Sequence, residues 1–592
     1  MKLSAVQASS PHIGFPSGSF IPLGWSGGEE LLQGETPKLL VDGFFRTDGD
    51  SLGEARLDDL AQAVRLYQTE GPSFVRKLRG SFVIALWDPI KRRLILATDH
   101  FGTRPLYVWS GKGQLAFAPK ISSLVNNADV PRQIDTNSLY CYLNHSFIPA
   151  PMTIYQGVER LEPGHCLIWE NGRLSKVQYW EMSYAEDACL DDRSAADLLS
   201  SSVEESIAFL LRDANRPNAQ LGAFLSGGTD SSTVVGLMSR LSGERINSFS
   251  VGFDETPYNE IHFARVAASH FKSNLHEYFV RPNAALKALP ELVQAFDEPF
   301  GNSSALPTYF CVKGAQEAGV NLMFAGDGGD ELYGGNERYL TEKVFSYYQR
   351  IPAWLRKGTD LVADVLPAIY PCSKVKNYVH KANLSCAERF FHYQLFYRHH
   401  AQEYFTDEFY AGLNLEYPLT IPKSLFERAR DAHWLNRLLY VDLRLAISDN
   451  DLFKVNRMAE SCGIQVRYPY LDKKVAAASA RIPAKLKLKG WEKRYIFKKA
   501  FAALLPRDIL QKKKHGFGLP TGEWLRSDPG FRDLARSLLL DSRSIQRGYF
   551  KRRAIEELLH RHTAERSNYY GSHIWNFMML EMWHRYHFDC RP

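Results

Sequence analysis

The chain has 592 residues, 45% hydrophobic and 23% charged, an ordinary globular composition that excludes a disordered, collagenous or coiled-coil molecule. At ~100–200 residues per domain, the length predicts about three to five units or two large ones. Lys and Arg total 72 against 66 for Asp and Glu, a formal charge of +6, too small and too mixed to argue for a nucleic-acid partner. No apolar run approaches the ~18 residues of a membrane helix. The first residues, MKLSAVQASSPHIGF, lack the apolar core of a signal peptide. Eight Cys are scattered without a CxxC pair, so neither a zinc site nor a disulfide framework is expected. These features predict a cytoplasmic protein with free thiols.

Residues 1–35 are rich in Gly, Ser and Pro with weak periodicity. From Leu39 to Tyr107 the pattern turns to short strands. SFVIALWD (81–88) and RRLILATD (92–99), joined by Pro89-Ile90-Lys91, predict a β-hairpin. LDDLAQAVRLYQTEG (57–71) has helical spacing. The first ~180 residues therefore predict an α+β domain built on antiparallel sheet. Residues 185–202 are acidic and polar and mark a seam, which divides the chain into 1–190 and 191–592. Beyond it the rhythm changes: helix AADLLSSSVEESIAFLL, strand QLGAFLSGG, helix STVVGLMSRL, strand INSFSVGF, helix EIHFARVAASHF, strand NLHEYFV. Alternating strands and helices predict a doubly wound parallel sheet. From about Tyr339 the chain is mostly helical.

The strongest local signal is LSGGTDSS, Leu225–Ser232, between a strand and a helix. In that context backbone N–H groups and a helix N-terminus bind phosphate. Gly227 and Gly228 allow close backbone approach, and Ser226, Ser231 and Ser232 supply hydroxyls. Asp230 suits a Mg²⁺ that bridges phosphates. No GxxxxGK[ST] motif occurs here, so this is not a Walker loop.

Four further landmarks follow: FDEPFGNSSALPTYF (296–310), FAGDGGDELYGG (324–335), DLFKVNRMAESCGIQVRYPYLD (451–472) and RYIFKKAF…LPRDILQKKKHGFGLP (494–520). With SGGTDSS, which looks like the pyrophosphate loop of the ATP pyrophosphatases, they make residues 70–590 resemble the asparagine synthetase family. The resemblance implies an α/β protein: an Ntn-hydrolase-like antiparallel sandwich, then a doubly wound ATP-pyrophosphatase domain with a helical C-terminal part. It implies attack of a substrate carboxylate on ATP, an acyl-adenylate, loss of pyrophosphate, and capture of the acyl group by an amine. Asp230 and Asp330 match the family's Mg²⁺-ligand positions, and Lys514 its catalytic lysine. Lys512 and Lys513 are expected to be solvated. Asp327 stands where asparagine synthetases usually carry Glu, and a shorter carboxylate still serves as a general base. Gly326 opens the same turn at the nucleotide site. Ser250, Val251 and Gly252 align with the adenine-binding strand. Arg467 and Asp472 are expected to form a buried structural pair.

The same resemblance makes the first half a class II glutaminase, which uses an N-terminal Cys nucleophile with its own amine as base. Here position 2 is Lys and no Cys precedes Cys141. The family's Arg-Gly-Pro-Asp and Asn-Gly-Glu elements are missing, and LLVDGFFRT (39–47) stands where the second would fall. The scaffold segments LRGSFVIALWD and TDHFGTRPLY persist. The expectation is a glutaminase-like domain without glutaminase activity. The amine then comes from solution or from a dedicated substrate, as in β-lactam synthetases and lasso-peptide cyclases. The short N-terminal segment looks most like the lasso branch. Small-molecule or peptide carboxylates and amines, a precursor peptide, a leader peptidase and a second copy of the chain are the implied partners. An ammonia-dependent asparagine synthetase and an inactive nucleotide-binding scaffold are the alternatives.

Overall fold

The computed structural model describes residues 20–22, 36–47, 56–214, 219–352, 354–356, 359, 372–391, 395–512, 518–565 and 568–589. In the first half, strands β1 (Phe20–Pro22), β2 (Lys38–Thr47), β3 (Leu78–Asp88), β4 (Arg93–Thr98), β5 (Tyr107–Gly111), β6 (Gln114–Ala118), β7 (Val158–Arg160), β8 (His165–Glu170) and β9 (Arg173–Gln178) form two sheets. One has the order β2-β3-β4-β8-β9 and is antiparallel throughout; the other is β1-β6-β5-β7, with β1 parallel to β6. The predicted hairpin is β3–β4, with Asp88 opposite Arg93. Asp88 closes its turn by accepting from the Ile90 and Lys91 amides at 3.0 Å.

Alternation along β3 explains the layering, because successive side chains point to opposite faces. Phe82, Ile84 and Leu86 pack with Ala63 and Tyr67 of the helix Arg56–Glu70. Val83 and Ala85 meet Val108, Leu115 and Phe117 of the second sheet. The outer face of that second sheet, with Tyr107, Trp109, Ala116 and Ala118, belongs to one core continuous with the second half.

The second half holds five parallel strands: β10 (Leu221–Phe224), β11 (Asn247–Gly252), β12 (Asn274–Phe279), β13 (Leu322–Phe324) and β14 (Gln465–Arg467). Their order is β12-β11-β10-β13-β14. The chain winds outward first through β11 and β12, then returns through β13, so the topological switch lies between β10 and β13. Ligands of open parallel sheets bind outside the carboxyl ends of the strands at that point. The two loops that leave there are Leu225–Gly228 and Ala325–Gly328, the turns singled out from the sequence. A short hairpin, β15 (Leu488–Lys489) and β16 (Glu492–Lys493), lies beside them. No described helix is long and apolar enough to cross a membrane.

Polar contacts rivet the halves together. Glu298 of the Asp-Glu-Pro element accepts from Tyr107 Oη at 2.8 Å and the Ile154 amide at 3.1 Å. Asp297 accepts from the Ser122 amide and pairs with Arg457 at 3.0 Å. Arg160 pairs with Asp449 at 2.9 Å. The expected Arg467–Asp472 pair does not form. Asp472 pairs with Arg79 of the first half at 2.7 Å and caps the helix Lys473–Arg481. Arg467 lies over the Phe44 ring, 3.9 Å from its centroid. Each residue is structural, but its partner belongs to the other half.

Candidate active site

A cavity of about 1220 Å³ opens at the switch point. Drug-sized ligand pockets hold ~300–1,000 Å³, so there is room for more than one substrate. Three groups of elements line it. The first is the loop after β10 with Ser250 and Val251 of β11. The second is the acidic turn after β13. The third is the wide π-helical stretch Leu443–Asp451 with the helix Leu452–Ser461 and the β15–β16 hairpin. The π-helical stretch is a partition: Ala446, Ile447, Asn450 and Asp451 face the cavity, while Asp449 holds Arg160 of the first half.

The loop Leu225–Gly228 turns from β10 into the helix Thr229–Ser242. Gly227 adopts φ +66°, and a Cβ there would stand 2.3 Å from the Phe263 carbonyl carbon, so only glycine lets the loop settle onto the helix Ile261–Phe271. Ser226 Oγ receives the Gly228 amide at 3.3 Å and lies 3.1 Å from Ser231 Oγ. The helix Thr229–Ser242 starts here, and Thr229, Asp230 and Ser231 of its first turn line the cavity. The two loops touch: a Cβ on Gly326 would meet the Ser231 amide at 2.9 Å, and one on Gly329 the Asp230 carboxylate at 2.5 Å.

Arg494 joins them. Its guanidinium donates to Thr229 Oγ1, to both Asp230 oxygens and to Asp330 Oδ1. Asp230 and Asp330, predicted together as metal ligands, thus converge on one cationic point. Among the described residues no group of three or more His, Cys, Asp or Glu side chains could hold a metal ion. Two carboxylates suit Mg²⁺, which takes one or two from protein and fills its shell with phosphate oxygens and water.

Asp327 also lines the cavity. Burial pushes its carboxyl up, to about 6, against the pull of Lys454. Lys454 is buried and donates to Asp451 at 2.6 Å. Burial opposes its charge, but Asp451 and Asp327 hold its proton more tightly than usual. Burial also raises Glu331 well above the carboxylate range, with Asp442 and Asp451 adding to it.

Other expectations shift. Ser232 is fully buried on the inner face of its helix, and Gly252 sits beneath Phe279 and Ile261; neither they nor Gly227 line the cavity. Lys514 and Lys513 lie outside the described residues. Lys512 is not solvated: its side chain is 6% exposed, and Nζ donates to the Ser226 carbonyl at 3.3 Å and Glu260 at 3.1 Å. Burial lowers its pKa. Arg494, Lys454, Asp451 and Glu260 were missed. Only the Asp451/Lys454 spacing, three apart on a helix, could have hinted at a pair. Nothing local tells that Arg494 reaches two carboxylates more than 160 residues away.

Residues 203–585 match the family model of asparagine synthase, and residues 58–180 that of the glutamine amidotransferase domain. The chain belongs to the asparagine synthase family. It is 27% identical over 549 residues to asparagine synthetase [glutamine-hydrolyzing] 1 of Bacillus subtilis, covering 92% of this chain and 82% of that one. It is 28% identical over 551 residues to a putative asparagine synthetase [glutamine-hydrolyzing] of Mycobacterium tuberculosis, covering 91% and 80%. It is 26% identical over 330 residues to Amidase chry2 of Gibberella zeae, covering 53% and 47%. Family membership makes the chain an asparagine synthetase-like carbon–nitrogen ligase of an ATP-dependent family.

Proposed function

We propose that this ligase activates a substrate carboxylate as its adenylate, releases pyrophosphate and then AMP, and passes the acyl group to an amine without hydrolysing glutamine. One observation carries the reading: at the sheet's switch point a glycine- and serine-rich loop and an acidic turn converge, with Asp230 and Asp330 on one cationic point and Asp327 lining the same cavity. The loop amides and the hydroxyls of Ser226 and Ser231 hold the polyphosphate. Arg494 offsets its negative charge as the bond to pyrophosphate breaks. Mg²⁺, held by Asp230 and Asp330, would supply further charge neutralisation there. Asp327, largely ionised above pH 6, accepts a proton from the attacking amine, and Lys454 steadies its charge. Lys514 is proposed as a second cation over the reacting phosphate.

The first domain, to about residue 190, is proposed as a packing partner. In the strand where the resemblance places a glutamine-binding element, Phe44 is buried beneath Arg467 and beside Phe209, at 6.4 Å between ring centroids. Asp42 is engaged by Arg104 at 2.7 Å. That strand serves packing rather than an open binding site. The large cavity favours a donor bigger than aspartate, such as a peptide that supplies both carboxylate and amine, in the manner of a lasso-peptide cyclase. The test is pyrophosphate release from MgATP with aspartate plus ammonium, aspartate plus glutamine, or a peptide bearing an internal carboxylate and a free N-terminus. Turnover with the peptide alone is the expected result. Asparagine formed with ammonium but not glutamine would make this a glutaminase-less asparagine synthetase. Asparagine formed from glutamine would overturn the account of the first domain.

A further inference from the structure

Two cations bracket the phosphate loop. Arg494 holds the helix end through Thr229 and Asp230, and that contact belongs to the site already described. Lys512 stands at the other end, where the chain leaves β10. Its ammonium donates to the Ser226 carbonyl at 3.3 Å and to Glu260 Oε2 at 3.1 Å, and it lies 4.5 Å from the centroid of Phe263. Phe263 is the same residue against which Gly227 packs. Lys512, Glu260 and Ser226 all line the cavity. The ammonium is therefore seated on the rim of an anion site while paired to a carboxylate of the protein itself.

The electrostatics are unequal. Glu260 offers one negative charge from a partly exposed side chain, 23% accessible to solvent. Lys512 is only 6% exposed, so its charge needs an acidic partner here, and one carboxylate is the least that serves. A nucleotide triphosphate, or the pyrophosphate it leaves, brings several charges and strong acceptor oxygens to the loop amides within reach of the same ammonium. Lysine is a compact point charge on a flexible stem, so it can change partners without movement of the backbone.

We propose that Lys512 is a phosphate-binding residue of this site and that Glu260 is its resident counter-ion, displaced when the polyphosphate arrives. Glu260 holds the ammonium in place when the loop is empty and competes with the ligand when it is not. The proposal rests on the reading that the loop binds the phosphates of ATP.

It makes the two partners act in opposite directions, which a merely structural ion pair would not. The experiment is calorimetric titration of the full chain with MgATP, with inorganic pyrophosphate, and with adenosine, which lacks phosphate. Lys512→Ala should weaken MgATP and pyrophosphate by about ten- to a hundred-fold, the range for a hydrogen bond to a charged group. Lys512→Arg should recover much of that loss. Glu260→Gln, which removes the competing carboxylate, should tighten both by at least about two- to five-fold. Adenosine should bind all variants alike, which separates lost phosphate contact from misfolding. The proposal is overturned if Lys512→Ala binds MgATP as the wild type does. It is equally overturned if Lys512→Ala and Glu260→Gln weaken ATP and adenosine together, the result of a broken staple. A wild-type chain that binds no ATP at all would remove the parent reading as well.

Discussion

The two halves carry the same kind of architecture, sheet against helix around apolar core, yet use buried charge differently: Asp99 of the first half is also pushed up by burial, but it accepts from the Phe82, Phe101 and Thr103 amides and closes a turn. In the first half, the strand Lys38–Thr47 packs Phe44 beneath Arg467 of the second half. In the second, the switch-point loops keep acidic groups whose burial is unfavourable: Asp327 and Glu331 are both pushed up by desolvation. Carboxyls held up in this way occur at reaction sites as well as in structural networks such as that of Glu298, and these two line one cavity. On the function proposed above, the comparison sets a packing half against a half that carries the reaction.

Breaking the reaction site should produce the largest effect. Asp230→Ala, which removes the carboxylate that holds Arg494 and is proposed to hold Mg²⁺, is expected to lower pyrophosphate release by about 10²–10³-fold or more in folded protein. Unchanged turnover would overturn the proposed metal role of Asp230. Asp327→Asn should spare carboxylate-dependent exchange of pyrophosphate into ATP but slow amide formation by about 10²-fold. In the wild type amide formation should rise with pH as the Asp327 carboxyl ionises near pH 6. An Asn variant that keeps that limb would show that another group is the base.

The scaffold side of the comparison predicts changes in stability instead. Phe44→Ala should lower the unfolding free energy by about 3–5 kcal/mol, the usual loss for a buried Phe. Activity per folded molecule in the second half should remain. Loss of adenylation at full stability would mean the first half does more than support. The smallest effect concerns the rivet at Glu298, whose carboxyl is raised to about 7, chiefly by burial, although Arg160 pulls it down. Because the folded value lies above the unfolded one, its contribution to stability is fully present below about pH 4.5 and is lost as pH rises through 7. The wild-type melting temperature should therefore fall over that interval more steeply than that of Glu298→Gln. Equal slopes would mean that Glu298 is already ionised at the seam.

Much of this was legible in the order of residues. The hairpin 81–99 follows from period-two alternation and a turn, and the parallel sheet from alternating strand and helix patterns. SGGTDSS and GDGGDE are local, because a phosphate loop needs glycine and hydroxyl residues at fixed offsets on one short segment. Arg494, Lys454 and Glu260 were not legible, because their roles exist only through partners far along the chain. Lys512 was misjudged for the same reason: in a run of three lysines, sequence cannot tell which one the fold buries.

Sequence alone therefore determined the class of fold, the two loops and the kind of chemistry they support, since each is written in short-range pattern. Tertiary structure decided which charges meet. The crossing of Arg494 to Asp230 and Asp330, the pairing of Asp472 with Arg79 and the burial of Phe44 under Arg467 depend on sheet order and on how two halves share one core. Electrostatic energy depends on distance and burial, and neither is a property of a residue until the chain has folded.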